Sequence, residues 1–191
     1  MDIERHPLEP FLPEGTSLLM LGSFPPARKR WAMDFFYPNY TNDMWRIFGL
    51  CFFGDKLHFV DEKNKTYRRE AIEQLLTDKR IGIYDTAKVV NRTEGTAADK
   101  DLEVVEATDL DDLLLRIPQC KAVVTTGEKA TSVFCEHFGI KPPKVGNFVE
   151  FTFQNRTLRL YRMPSSSRAY PMKVERKAEF YKPMFDEITI L

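Results

Sequence analysis

The sequence predicts an α/β protein: a central, mainly parallel sheet with helices on both faces, a three-layer αβα sandwich built by a single domain over residues 1–191. Two observations predict it. Three short apolar runs, SLLMLG (17–22), IGIYDTA (81–87) and KAVVTTG (121–127), have the continuous apolar character of strands buried on both faces. Segments with a helical repeat alternate with them, and that alternation builds parallel sheets. A chain of 191 residues, 43% of them hydrophobic, supports one ordinary core.

The first run ends at Gly22 and opens into a long loop, SFPPARKRWAMDFFYPNYT, rich in proline and aromatics. Loops of that length inside a compact domain are usually functional or disordered, and its aromatic content argues for function. Asn42 or Thr41 can cap the next helix, which carries Trp45, Ile47 and Phe48 to about Leu50. Residues 67–78 have Ala71, Ile72, Leu75 and Leu76 at helical spacing. After the second strand a polar loop is expected over NRTEGTAADKD (91–101). Asp109 is placed to cap a short helix, DDLLLRI, that stops before Pro118. The third strand is followed by a helix, EKATSVFCEHF, with Gly139 just past its end. GNFVEFTF and TLRLYRMP flank Gln154-Asn155 as a hairpin. SSSRAYP reads as a tight polar loop, and a last helix from about Met172 carries Val174, Ala178, Tyr181 and Phe185 on one face, with Pro183 a candidate kink.

Composition narrows the function classes. No apolar run reaches the roughly 20 residues of a membrane helix, and MDIERHPLEP lacks an apolar signal core, so a cytoplasmic protein is expected. Three cysteines, Cys51, Cys120 and Cys135, share no CxxC spacing, which argues against an iron–sulfur cluster or thiolate zinc site. The histidines, His6, His58 and His137, are scattered, with no HExxH and no His–carboxylate cluster, so neither a metal nor another cofactor is expected. P-loop, GxGxxG and GxSxG motifs are absent. Net charge is zero, but residues 156–182 hold eight bases against two acids, and Arg28, Lys29 and Arg30 form a second basic cluster. Such local faces suit phosphate contacts that a neutral total conceals; the plainer alternative is solvated surface charge.

Sites in open α/β sheets form beyond the carboxyl ends of strands. Three loops leave such ends, over residues 23–41, 85–100 and 164–170, and the site is expected where they meet.

These loops carry a resemblance. GSFPP, at the end of the first strand, resembles the first motif of the uracil-DNA glycosylase superfamily, whose loop wraps a flipped base. FFYPNYTNDMWRIFG is similar to the family's aromatic–Asn–Trp stretch, and MPSSSRAY resembles the second motif, a proline–serine loop that enters the duplex. IGIYDTAKVVNRTEGTAADKDL, with its Tyr84-Asp85 pair and its Gly95-Thr96-x-x-Asp99 loop, looks most like the hypoxanthine-DNA glycosylase branch. The resemblance implies a uracil-DNA glycosylase-like fold and a monofunctional DNA glycosylase. Its partner would be DNA containing damaged, deaminated bases, with no cofactor, no membrane and a monomeric state. Two positions depart from the wider pattern: Phe24 stands where many members carry Asp or Asn, and Met163 where many carry His or Asn.

Carried over by position, the resemblance makes Asn42 and Asp85 the catalytic candidates. Asn42 would orient water or touch the base, or else cap a helix. Asp85 would read the base edge or help the water, or else end a strand as a turn carboxylate. Tyr37, or Phe36, would stack on the base, with core packing as the alternative. Gly22, Ser23, Phe24 and Met163 complete the base-binding set. Pro164, Ser165, Ser166, Ser167 and Arg168 are the DNA-binding set, the alternative being a surface turn; Arg162 and Lys173 are further phosphate candidates. The competing reading is a catalytically inactive damaged-DNA-binding module on the same fold, motivated by Phe24 and Met163. A third is an enzyme acting on free nucleosides.

Overall fold

A computed structural model describes residues 2–93 and 102–190. In chain order the elements are β1 (Ile3–Arg5), β2 (Leu18–Gly22), α1 (Met44–Phe53), β3 (Val60–Asp61), β4 (Thr66–Tyr67), α2 (Arg69–Lys79), β5 (Ile81–Asp85), β6 (Ala87–Arg92), β7 (Leu102–Ala107), α3 (Leu110–Arg116), β8 (Ala122–Thr126), α4 (Glu128–Phe138), β9 (Phe148–Phe153), β10 (Arg156–Met163) and α5 (Val174–Glu187). A single 3₁₀ turn, Arg28–Arg30, interrupts the long first loop.

The central sheet has the order β5-β2-β8-β10-β9. Its first four strands are parallel and β9 closes one edge antiparallel. Every residue of β2, β5 and β8 is buried. Neighbouring strand residues point to opposite faces, so burial of all of them requires cover on both sides. That is the three-layer α/β/α arrangement the apolar runs predict.

Local signals hold where they are strong. Asp109 accepts a hydrogen bond from the Asp112 amide at 2.9 Å and starts α3. Gly139 ends α4 with φ 63°, in the left-handed region that glycine enters without penalty. β9 and β10 pair as the expected hairpin. α5 continues through Pro183.

Two expectations change, and one strand is unannounced by the sequence. The strand expected over residues 81–87 breaks at Thr86: β5 stays in the main sheet, and Ala87 starts β6 in a separate antiparallel sheet, β1-β6-β7. The polar loop expected over residues 91–101 loses its first two residues to β6, and β7 follows at once from Leu102; its Gly95–Asp99 motif lies outside the described residues. The charged N-terminus supplies β1, whose pairing with β6 offsets its exposure and lack of apolar pattern. Between the sheets Phe24 packs with Ala87, Val90 and Leu102 in a small second core.

The register fixes the site. Gly22 pairs with Asp85, Leu21 with Thr125, and Met163 with Thr126, so four strand ends finish level. The chain leaves β2 for β5 on one side and returns to β8 on the other. The crevice beyond β2 is therefore a topological switch point, where ligands of open α/β sheets bind.

Candidate active site

A cavity of about 120 Å³ opens at that switch point. It is smaller than the roughly 300–1,000 Å³ of sites for drug-sized ligands, and suits a single heterocyclic ring system. Its floor is Gly22, Ser23 and Phe24 from the first strand end. Asp85 and Thr126, from the neighbouring strand ends, stand on either side. Phe36, Tyr37 and Asn42 from the first loop form one wall, and Ser165, Ser166 and Ser167 another. Residues from three loops up to 145 positions apart in the chain thus meet at one rim.

Asp85 is buried and held in one orientation. Its Oδ2 lies 2.6 Å from His6 Nε2. Its Oδ1 sits over Gly22, so close that a Cβ there would fall 2.7 Å from it and 3.0 Å from the Tyr37 hydroxyl. Glycine is needed at position 22 because the carboxylate and phenol occupy the space of a side chain. His6 corrects the expectation that no His–carboxylate cluster exists. The pairing spans 79 residues, and no spacing rule finds it. Among the described residues no three His, Cys, Asp or Glu side chains gather as a metal site.

Asn42 lies one residue before the observed N-cap position, Asp43, which makes no side-chain cap. Instead Asn42 Oδ1 accepts the Met44 amide at 2.9 Å. An amide N–H only donates, so the oxygen must face it and the Asn42 NH₂ must face away. The helix-start role and the site role therefore use opposite ends of one side chain. Below it, the Tyr67 hydroxyl reaches the carbonyls of Asn39, Tyr40 and Asn42, each at 2.9 Å, and Arg46 donates to the Tyr40 and Asn42 carbonyls. Burial pushes the Tyr67 phenol up to about 12.

Tyr37 has φ 50°, which turns its ring out of the chain direction, and its hydroxyl is 3.1 Å from Thr126 Oγ1. Phe36 is buried, its carbonyl bonded to the Trp45 indole. Thr126 was not a sequence candidate; the strand-end position it shares with Gly22 and Asp85 was the available signal.

The serine loop is tied down from behind. The Ser166 carbonyl accepts the Asp43 amide at 2.9 Å, and the Pro164 carbonyl accepts the Tyr181 hydroxyl at 3.0 Å. Ser165 and Ser167 cap amides two residues on. Asp43, itself buried, pairs with Arg168 at 2.9 Å and with the fully buried Lys177 at 3.0 Å; Lys177 also donates to the Ser167 carbonyl. Lys177 is a second residue that sequence reading passed over, because a lysine in a polar helix segment looks solvated.

Three of the base- and DNA-binding candidates stand outside the cavity. Met163 is buried in the main core and does not line it, since its place at the end of β10 points it inward. Arg168 extends past the rim, 55% exposed, with its guanidinium on Asp43. Pro164 likewise faces a second depression on the far side of the serine loop, beside Arg162 and Gly127. Lys173 is the N-cap residue of α5. Phe24 lines the cavity, but its ring packs edge-on to His6 at 5.3 Å.

The sequence matches no family model and no curated protein. In three dimensions the chain is similar to the solution NMR structure of a protein from Methanosarcina acetivorans described as a "putative Uracil DNA glycosylase". The TM-score is 0.63 over 98% of this chain and 99% of that one, at 23% identity. The two chains share a fold. Among the described residues no helix is long and apolar enough to cross a membrane.

Proposed function

We propose that the protein is a monofunctional DNA glycosylase that hydrolyses the N-glycosidic bond of a flipped-out deaminated base, hypoxanthine or uracil, and leaves an abasic site. One observation carries the reading: a ring-sized cavity at the switch point is faced by one oriented acceptor, Asp85 Oδ1, and one oriented donor, the Asn42 amide. Neither has another partner among the described residues.

The chemistry of deamination explains why that pair matters. Adenine and cytosine carry a bare ring nitrogen beside an amino group. Deamination turns them into lactams, with a ring N–H beside a carbonyl. An ionised carboxylate accepts and does not donate, so it favours the lactam N–H and repels the lone pair of the undamaged base. The Asn42 NH₂ complements the lactam carbonyl or a water.

Extrusion of the base costs a few kcal/mol, least for a damaged pair. The aromatic wall at Phe36 and Tyr37 offsets part of this by stacking. As the C1′–N bond breaks, its electron pair moves to the base and the sugar gains oxocarbenium character. Water adds to C1′, and its proton ends on the departing base or the solvent. A fixed amide donor aimed at the developing anion stabilises the transition state more than the ground state. No lysine is among the residues lining the cavity, and Lys177 is engaged by Asp43, which supports hydrolysis by water over a Schiff base. The serine loop would meet the backbone of the bent duplex, with Arg168 toward a phosphate.

The test is incubation with end-labelled duplexes carrying deoxyinosine, deoxyuridine or only normal bases, followed by alkaline cleavage. Strand scission at the lesion alone is the expected result. Tight binding without scission on any lesion would instead establish the inactive binding module that Phe24 suggests.

A further inference from the structure

We infer that His6 is a positioning residue of the site: it holds Asp85 so that one carboxylate oxygen is consumed and the other is presented to the cavity as a fixed acceptor. The inference rests on the glycosylase reading for what Asp85 does, and on geometry alone for what His6 does.

The tautomer follows from the hydrogen bonds. The Leu8 amide donates to His6 Nδ1 at 3.1 Å, so Nδ1 carries no hydrogen. The ring hydrogen is therefore on Nε2 and is donated to Asp85 Oδ2, 2.6 Å away, the short contact of a donor on a carboxylate. The imidazole is 1% exposed and lies among Phe24, Phe36 and Tyr84, with ring centroids at 5.3, 6.0 and 4.6 Å. That apolar cage fixes the ring plane and keeps water from replacing it as donor.

The N-terminal strand leads directly into this ring. β1 pairs with β6 through Ile3, Glu4 and Arg5, and the His6 amide bonds the Lys88 carbonyl at 2.8 Å. Glu4 pairs with buried Arg92, which donates to the Pro25 carbonyl of the first loop. A strand with almost no buried surface of its own thus joins both sides of the cavity. A carboxylate free to rotate would offer either oxygen to solvent; one pinned at Oδ2 keeps Oδ1 over Gly22 without reorganisation cost.

The experiment compares His6→Phe, which fills the cage without a donor, with His6→Gln, which places an N–H near the position of Nε2. Single-turnover base release and affinity for a duplex with a tetrahydrofuran abasic analogue are measured for each, alone and with Asp85→Ala. His6→Phe is expected to slow release about 10–100-fold with affinity changed less than about twofold, by analogy with losing the hydrogen-bond partner behind a metal ligand. His6→Gln should recover most of the rate, and His6→Phe should add nothing once Asp85 is Ala. Wild-type rates in His6→Phe, or losses that multiply with Asp85→Ala, would overturn the inference. If wild-type protein releases no base at all, the glycosylase reading fails, and the His6 claim is decided by imidazole nitrogen NMR of the free protein. A single Nε2–H tautomer whose Nε2 resonance shifts in Asp85→Ala supports it; an Nδ1–H tautomer, or an Nε2 resonance that Asp85→Ala leaves in place, overturns it.

Discussion

The two walls of the cavity are held by opposite kinds of electrostatics. The Asp85 wall is a one-to-one hydrogen bond between a caged imidazole and a carboxylate whose second oxygen sits over Gly22 with no partner among the described residues. The opposite wall, where α1 begins and the serine loop docks, is backed by a buried ion triad in which Asp43 answers both Lys177 and Arg168. No member of that triad lines the cavity. A site can spend an unpaired oxygen only where a ligand will pair it; elsewhere buried charge has to be satisfied within the protein.

The largest effect should come from breaking the triad. Asp43→Ala strands the Lys177 ammonium in the interior, and an uncompensated buried charge costs about 3–5 kcal/mol. Urea unfolding should show that loss, whereas Arg168→Ala, at a half-exposed partner, should cost no more than about 1 kcal/mol. Equal losses in the two variants would erase the distinction between a buried and a rim contact.

Next in size is Asn42→Ala. Removing one oriented donor from a reacting site typically costs about 10²–10³ in rate, while losing a helix-start bond costs about 1 kcal/mol of stability. Single-turnover release should therefore fall by that factor with a modest drop in Tm. A normal rate with the same drop in Tm would leave Asn42 only its bond to Met44.

The smallest effect in the working range is that of pH on the supports. Burial pushes Tyr67, beneath the Asn42 wall, and Tyr84, behind His6, from 10.0 up to about 12; the Asp85 charge adds to the shift at Tyr84. Cys51 in α1 is raised from 9.0 to about 12, also by burial. In each case the folded state favours the neutral form. The stabilisation is whole below the unfolded values of 9.0 and 10.0 and is lost as pH rises toward about 12. Urea midpoints should stay level to about pH 9 and fall above it. A Tyr67→Phe variant should fall less steeply while starting lower, because the hydroxyl shared by the Asn39, Tyr40 and Asn42 carbonyls is lost and only the last two keep Arg46 as a donor.

Much of the scaffold was legible because its signals are local. The apolar runs over residues 17–22, 81–87 and 121–127 announce the strands that end at Gly22, Asp85 and Thr126, Asp109 announces a helix start, and Gly139 announces a helix end. Each depends on residues within a few positions of itself. The motifs also told which loops hold Asn42, Asp85 and the three serines, since strand order in an α/β sheet puts such loops on one edge. The same signals put Met163 beside the cavity residues, where the fold buries it in the core, and did not mark Thr126. Alternation along β10 and the register of β8 decide which strand-end side chain turns inward, and both follow from pairing that a linear pattern does not state.

By itself, then, the sequence determined the layers, the start of α3, the end of α4 and the edge of the sheet on which the three loops gather. Only the tertiary structure decided who supports that chemistry. His6 meets Asp85 across 79 residues, and Lys177 meets Asp43 across 134. The physical reason is that a buried polar group is selected for its partner in space. A histidine beside a proline and a lysine in a charged helix look solvated until the fold takes water away from them.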